Sequence, residues 1–449
     1  ILLGAGWAYA ALGWGGYWAW DPVENASLLP WLTSTAFIHS VMMQEKKGMM
    51  KVWNVVLVSA TFFLCIFGTM LTRSGLVSSV HAFAQSSIGS YFVGFLALGI
   101  AGTVWLILDR LPYLRSESQL ESVVSRESSF LFNNLILLAS CFAVLWGTLF
   151  PVISEAVTGE KVSVDAPFYN RVNVPIGLFL LFLTGVGPLI AWRRSSPESL
   201  RRAFTWPAMT MVLLMIALGL AGVRHPYSLL AFGLCMFVTT TVFLEFYKGA
   251  RAISSKSGQN LLAAAIELTH RNTRRYGGYV VHMGIVLMFI GFAGAAFNKD
   301  ATVEVKFGDT FNLSHYQLQV REVRSGSNEN YDWHHAKVDA YRDGRFLQTL
   351  EPERRFYKAS RQPTSQVSIR RRLNEDLYLN FAGMSEDGQR AIIQAFVFPL
   401  VSWIWLGFVV LTAGTFICLI PGKTRVRPAK PERAIPARTR ERQYATVAK

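Results

Sequence analysis

The sequence is poor in most of what a soluble enzyme displays. Only 16% of its 449 residues are charged, and no long apolar run carries an Asp or Glu deep in its middle, since Glu245 lies close to the Lys248 end of its run. A proton-coupled transporter usually needs such a carboxylate in mid-membrane, so that class ranks last. Cysteine is scarce: Cys65, Cys141, Cys235 and Cys418 each fall inside an apolar run with no C-x-x-C spacing, which leaves thiol-disulfide exchange and a zinc site without support. These four read as packing residues. The C-x-x-C-H haem attachment motif is also absent. There is no starting Met and no basic leader before "ILLGAGWAYAALGW", so the first span is expected to be cut short, with anything upstream out of view.

What is present is apolar. Hydrophobic residues make up 51% and aromatics 13% of the chain, and the mean hydropathy is +0.29, which places it in the polytopic membrane class. A hydrocarbon layer of roughly 30 Å takes about 20 apolar helical residues. Runs of that kind lie near 28–44, 52–72, 88–108, 129–151, 174–192, 204–222, 228–247, 276–298 and 394–420. Basic residues favour cytoplasmic loops. "QEKKGMMK", "RRSSPESLRR", the 248–275 loop and the tail from Lys423 to Lys449 alternate with basic-poor connections. This parity sends residues 13–27, His81, the 152–173 loop, His225 and the insert 299–393 to the outside. The net charge of +15 then reflects topology and attraction to the inner leaflet, and no nucleic acid partner is needed.

The expected fold is an all-α polytopic membrane helix bundle with a small extracytoplasmic β-domain inserted before the last span. Its parts are a truncated first span with an external aromatic segment (1–27), an eight-span bundle (28–298), the β-domain (299–393), a last span (394–420) and a basic cytoplasmic tail (421–449). In the insert, "ATVEVKFGDTFNL", "YQLQVREV", "HAKVDAYRDGRFLQTL", "SQVSIRRRL" and "LYLNF" alternate apolar with polar residues between Gly, Asn and Asp turns, as antiparallel strands do. His315, His334 and His335 fall in it and read as exposed structural histidines, because no carboxylate or cysteine stands at a ligand-like spacing.

His39 and His282 lie inside spans that otherwise avoid ionisable groups. Each stands seven residues from a basic residue at its span's cytoplasmic end, Lys46 and Arg275 respectively. Both therefore sit roughly 10 Å in from that edge. Two imidazoles at one depth on two helices suit a bis-histidine haem, and Gly277, Gly278 and Gly284 leave room beside one of them. The alternative is a lone hydrogen-bonded bundle histidine in each case. His81, in "TRSGLVSSVHAF", follows the second full span on the outside and is either an iron ligand or an ordinary loop histidine.

The segment "GWGGYWAWDPVENASLLPWL" opens with four features of one kind: Trp14, Tyr17, Trp18 and Trp20 around Gly15 and Gly16. Asp21 stands at an N-cap position, Pro22 at the first helical position and Glu24 where it completes a capping box, so a short helix is expected there, with Pro30 opening the next span. The aromatics are either an interfacial belt or a surface for a planar macrocycle.

"WGGYWAWDPVENASLLPWL" resembles the tryptophan-rich WWD signature of the haem-handling membrane protein superfamily, with Tyr17 where many members have Trp. Its continuation through His39, "GTMLTRSGLVSSVHAFA" at His81, "RRYGGYVVHMG" at His282 and the outward β-domain resembles the CcmF family, the haem lyases of system I cytochrome c maturation. The resemblance covers essentially the whole chain. It implies that His39 and His282 hold an integral haem b, and that His81 ligates an incoming haem on the platform of Trp14, Gly15, Gly16, Tyr17, Trp18, Trp20, Asp21, Pro22 and Glu24. A further external histidine is expected upstream of residue 1. It also implies a bacterial inner membrane location, a haem chaperone of the CcmE type, CcmH-like thiol partners, an apocytochrome c whose C-x-x-C-H thiols add to the haem vinyl groups, and quinol as electron donor. The competing reading within the superfamily is a haem transporter or loading protein without a bond-forming step.

Overall fold

A computed structural model describes residues 1–75, 87–116, 125–190, 197–386 and 388–421. In chain order the helices are α1 (Leu2–Ala11), α2 (Pro22–Lys47), α3 (Lys51–Ser74), α4 (Gly89–Arg110), α5 (Arg126–Thr158), α6 (Ala166–Val186), α7 (Pro197–Leu220), α8 (Pro226–Ser257), α9 (Leu261–Arg271), α10 (Thr273–Gly294) and α11 (Ser402–Leu419). Among the described residues α3 to α8, α10 and α11 are the eight helices long and apolar enough to cross a membrane. One half of the bundle gathers α3, α5 and α6 around α2, with Leu29, Leu32, Ala36, Leu57, Leu137 and Val144 in its core. The other gathers α6, α8 and α10 around Leu181, Leu234, Val238, Tyr279 and Val286.

Helices α10 and α11 approach closely because glycines recur every seven residues on α10, at Gly277, Gly284 and Gly291, and face Gly407 and Gly414 on α11. A Cβ on Gly284 would lie 2.5 Å from the Leu411 nitrogen and 2.7 Å from the Gly407 oxygen, and one on Gly414 would lie 2.5 Å from the Val281 nitrogen. In lipid, where apolar side chains gain little by leaving the solvent, such small-residue seams let backbones pack directly. Gly277 and Gly284 therefore serve helix contact, not space beside His282. Only Gly278 of the three has nothing within 4 Å of its Cβ position.

The β-domain follows a short 3₁₀ turn and comprises β1 (Lys299–Val305), β2 (Thr310–Leu313), β3 (Tyr316–Ser327), β4 (Tyr331–Arg342), β5 (Arg345–Leu350), β6 (Glu353–Tyr357), β7 (Gln362–Gln366), β8 (Ser368–Arg370), β9 (Glu375–Met384) and β10 (Ala391–Pro399). One sheet has the order β1-β10-β9-β8; the second runs β2-β3-β4-β6-β7, with β5 also on β4. Every pairing is antiparallel. The inner faces meet over Leu318, Val320, Val338, Leu377, Leu379, Phe381, Ile393 and Ala395, all fully buried. This is the two-sheet core that the alternating pattern predicts.

Four boundaries differ from the sequence reading, the first being the expected 152–173 loop, which α5 and α6 shorten to 159–165. The last span starts at Ser402, not 394, because "QAFVFP" is the second half of β10, with Ala395 against Ala301 of β1 and Leu379 of β9. An apolar core strand running into a span looks like one long span when only hydropathy is counted. The helix capped by Asp21 does not stop before Pro30 but continues as α2 to Lys47; the Thr33 and Thr61 hydroxyls, 2.8 Å apart, tie it to α3 just past the proline. The basic stretch 248–275, read as a loop, is instead the end of α8, then α9 and the start of α10.

Candidate functional site

His39 on α2 and His282 on α10 face one another, with ring centroids 6.3 Å apart and planes inclined by 17°. The two histidines join the halves of the bundle, since α2 packs on α3 and α5 while α10 packs on α8 and α11. Beyond them, at the helix ends, Arg274 meets Glu45 at 3.3 Å. His39 Nδ1 lies 2.8 Å from the Thr35 carbonyl one turn back. A carbonyl can only accept, so that nitrogen carries the proton and Nε2 presents a lone pair. His282 Nδ1 is buried with no hydrogen-bond partner among the described residues. Phe130 of α5 flanks His39 at 6.1 Å.

The spacing suits a shared metal. With a metal–nitrogen bond of about 2 Å and about 1 Å from nitrogen to ring centre, two axial imidazoles put their centres about 6 Å apart. Among the described residues there is no group of three or more His, Cys, Asp or Glu able to hold a metal ion. Two imidazoles alone fit a metal that brings its remaining ligands with it, as iron in a porphyrin does.

The aromatic segment lies at the opposite end of α2. The chain leaves α1 through Gly13 (φ +74°) and Gly15 (φ +77°), and Trp20 also takes a left-handed conformation (φ +60°). A Cβ on Gly15 would meet the Phe396 ring at 2.6 Å, whereas one on Gly16 would meet nothing within 4 Å among the described residues. Tyr17 packs between Phe292 of α10 and Trp405 of α11, and burial pushes its phenol above the usual range. Trp20 stacks on Tyr169 of α6 at 5.0 Å and 8° and donates its Nε1–H to Asn170 Oδ1 at 2.9 Å. Trp18 stands edge-on to Trp20 at 5.8 Å. The Trp14 indole nitrogen is buried without a partner among the described residues.

The capping box is formed. Asp21 Oδ2 accepts from Val23 N at 3.0 Å, and Glu24 Oε2 accepts from Asp21 N at 3.2 Å and Ala19 N at 2.9 Å. Pro22 occupies the first helical turn. Asp21, Pro22 and Glu24 thus aim α2, and Tyr17 and Trp20 hold the segment to the bundle. Among the described residues, neither Trp14 nor Trp18 stacks on an aromatic ring of a helix. His81 lies outside the described residues.

The other expectations are quickly placed. His315 Nε2 lies 2.7 Å from Glu375 Oε1, His334 Nδ1 lies 2.7 Å from the Ser325 hydroxyl, and His335 is 3.8 Å from Glu351. None of the three is exposed as expected: all are half-buried, His334 and His335 are neighbours on β4, and His315 and His335 each stand beside a carboxylate. The cysteines are free; Cys141 and Cys235 are buried and Cys65 is exposed. Sequence reasoning missed Asn25, fully buried, whose Nδ2 donates to the Trp20 carbonyl and to Thr148 Oγ1, both at 3.1 Å. It also missed Asn134, fully buried in α5 with neither side-chain atom partnered among the described residues. The signal was available: adjacent asparagines inside a span of otherwise apolar residues are costly and mark polar business.

The chain is similar to known proteins along its length. Residues 1–77 match the family described as Cytochrome C assembly protein, and residues 296–399 match the CcmF C-terminal beta-sandwich. The chain is 33% identical over 446 residues to the cytochrome c-type biogenesis protein CcmF of Haemophilus influenzae, covering 95% of this chain and 65% of that protein. It is 35% identical to CycK of Rhizobium meliloti, over 97% of this chain and 64% of that protein, and 31% identical to CcmF of Escherichia coli, over 97% and 65%. A solved structure titled Cytochrome c Heme Lyase CcmF superposes with a TM-score of 0.75 at 28% identity, covering 94% of this chain and 63% of that one. The chain thus spans slightly less than two thirds of the length of these relatives.

Proposed function

The chain belongs to the CcmF family of cytochrome c-type biogenesis proteins, and from that premise we propose that it works as a cytochrome c haem lyase with two haem positions. The observation that carries the reading is the facing of His39 and His282 at 6.3 Å. Haem b held there supplies one-electron chemistry. The residues of this chain do the rest. Thr35 fixes the tautomer of His39, and the glycine seam sets the position of α10 and hence of His282. His282, whose Nδ1 has no hydrogen-bond partner among the described residues, would hold that haem together with His39.

At the other end of α2, incoming haem is the substrate. Trp14 and Trp18 offer it flat apolar contact, Gly16 leaves space, and His81 supplies an axial nitrogen. The haem arrives from a chaperone of the CcmE type, and CcmH-like thiol partners present apocytochrome c. Each thiol of its C-x-x-C-H segment adds across a vinyl group, so one carbon–sulfur bond forms and the thiol hydrogen goes to the other vinyl carbon. No side chain of this chain need form a covalent bond; holding the two reactants in register replaces several kcal/mol of entropic barrier. Haem b held by His39 and His282 would supply electrons, drawn from quinol, that keep incoming haem ferrous. In this reading the protein spans the inner membrane, with the aromatic segment and β-domain outside and the Arg274–Glu45 end in the cytoplasm.

Absorption spectra of the purified protein, oxidised and reduced, test the assignment. His39→Ala and His282→Ala are expected to lose a stable low-spin haem. His81→Ala is expected to keep it while cytochrome c yield in cells collapses. Loss of the low-spin haem in His81→Ala, with retention in the other two, reverses the internal and external sites. Colourless wild-type protein refutes haem binding altogether.

A further inference from the structure

Strand β9 is buried on both faces, for two unrelated reasons. Leu377, Leu379 and Phe381 point into the sandwich. Asp376, Tyr378 and Asn380 alternate with them and, by the period of a strand, share the opposite face. That outer face is not solvated: Asp376 and Tyr378 are fully buried and Asn380 is 4% exposed. What covers it is the chain some 370 residues earlier, from α1 into the aromatic segment. Asp376 Oδ2 accepts from the Tyr9 hydroxyl at 3.1 Å. The Tyr378 ring lies 5.3 Å from that of Tyr9. Asn380 Nδ2 donates to the Gly13 carbonyl at 2.6 Å. The neighbouring strand contributes from the same side, with Phe398 against Tyr9 at 5.8 Å and Phe396 against Gly15.

The contacts run in register. Moving along β9 by steps of two residues moves along the covering chain from Tyr9 through Gly13, where the left-handed turn places Trp14. Glycine is required at Gly13 because the Ser365 side chain and Asn380 Oδ1 occupy the place of a Cβ, and at Gly15 because Phe396 does. Asp376 also accepts from Ser402 Oγ at 3.2 Å and Arg372 N at 3.1 Å, so one carboxylate joins α1, the β-domain and the start of α11. Burial pushes that carboxyl above its usual range.

We propose that the outer face of β9, through Asp376, Tyr378 and Asn380, is the positioning device that sets the height and turn of the aromatic segment 13–20 over the bundle. The β-domain thereby acts on that segment from within the chain, in addition to any contact it makes with another protein. Asp376, Tyr378 and Asn380 are positioning residues that do not touch the haem; their consequence for haem attachment rests on the function proposed above.

The test uses Asn380→Ala and the isosteric Asn380→Asp in the full protein. Aspartate keeps the shape of the side chain but cannot donate to the Gly13 carbonyl, while Gln394, which accepts from Asn380 at 3.0 Å, can turn its amide to donate instead. Loss of one buried hydrogen bond corresponds to about a tenfold change. Both variants are therefore expected to raise amide hydrogen exchange across residues 13–20 by about tenfold and to lower cytochrome c yield comparably. The amount of purified protein and its low-spin haem spectrum stay as in wild type. A purely packing role predicts that Asn380→Asp behaves as wild type in exchange, and that result overturns the proposal. Faster exchange with full cytochrome c yield overturns it as well. Should the wild type attach no haem at all, the exchange measurement still decides the placement, so the two readings fail separately.

Discussion

Replacing Gly284 by alanine asks how closely the position of His282 depends on the α10–α11 seam. The new Cβ would lie 2.5 Å from the Leu411 nitrogen and 2.7 Å from the Gly407 oxygen, both backbone atoms that no rotamer change can move, while ordinary contact begins at 3.4 Å. The helices must part by roughly 1 Å. Overpacking of this kind costs about 1–3 kcal/mol, against a gain of up to about 1 kcal/mol from replacing a helical glycine. Helix α11 cannot simply drift away, because Ser402 is bonded to Asp376, so part of the displacement falls on α10 and its imidazole two residues from the substitution. The haem position proposed between His39 and His282 would tolerate little of that. Gly278→Ala is the control: on the same helix, one turn before His282, it meets nothing within 4 Å and should be neutral or slightly stabilising. Thermal melting of the detergent-solubilised protein and its low-spin absorbance read both effects. Gly284→Ala is expected to lower the Tm and the haem content, with Gly278→Ala doing neither. Wild-type behaviour of Gly284→Ala, or equal damage from the two substitutions, refutes the argument.

Asp21→Ala removes the α2 cap and is expected to cost about 1 kcal/mol, seen as a lower Tm, while Asp21→Asn keeps an acceptor for Val23 N and should retain function; loss of cytochrome c yield in Asp21→Asn would show that the charge itself is used. In the β-domain, burial pushes the Asp339 carboxyl up, but bonds from Thr349 at 2.6 Å and Arg321 at 2.7 Å outweigh it and hold the group below its usual range. A carboxyl depressed in the folded state stabilises above its ordinary pKa of about 4 and stops doing so as pH falls through the folded value. Arg321→Ala is thus expected to move acid unfolding of the β-domain to higher pH, followed by its circular dichroism, and an unchanged midpoint refutes the pairing.

The features that reached the structure unchanged are those whose physics is local. The seven-residue offsets of His39 from Lys46 and of His282 from Arg275 amount to a depth gauge, because rise per helical residue is fixed; the rings lie at one height. "DPVE" formed its capping box because the three groups involved lie within one turn. The alternation in the insert became strands for the same reason. What failed was where one pattern had two possible causes. The run 394–399 is apolar as a buried strand, yet hydropathy alone joins it to the helix after it. Asp376, Tyr378 and Asn380 alternate with Leu377, Leu379 and Phe381 as in a strand with one wet face, yet their partner is another segment of chain, not water. Nothing local distinguishes the two, since both want polar groups. Gly277 and Gly284 likewise lack side chains whether a ligand or a helix approaches.

Helix α2 makes the two proposed haem positions mechanically dependent. Its capped end is aimed by Trp20, pinned to Tyr169 and Asn170, and by Asn25, which holds the Trp20 carbonyl. From Asp21 to His39 is 18 residues of one helix, a lever of about 27 Å. A tilt of about 5° at the cap would carry His39 about 2 Å sideways, as far as the whole length of a metal–nitrogen bond. The Thr33–Thr61 bond to α3 and the packing on α5 limit that tilt, but they lie between the ends and act as a fulcrum as much as a brake. The residues that shape the outer aromatic segment and those that set the inner imidazole are therefore not separable sets. Trp20 and Asn25 belong to both, and β9, by holding Gly13, fixes where the segment must enter the lever.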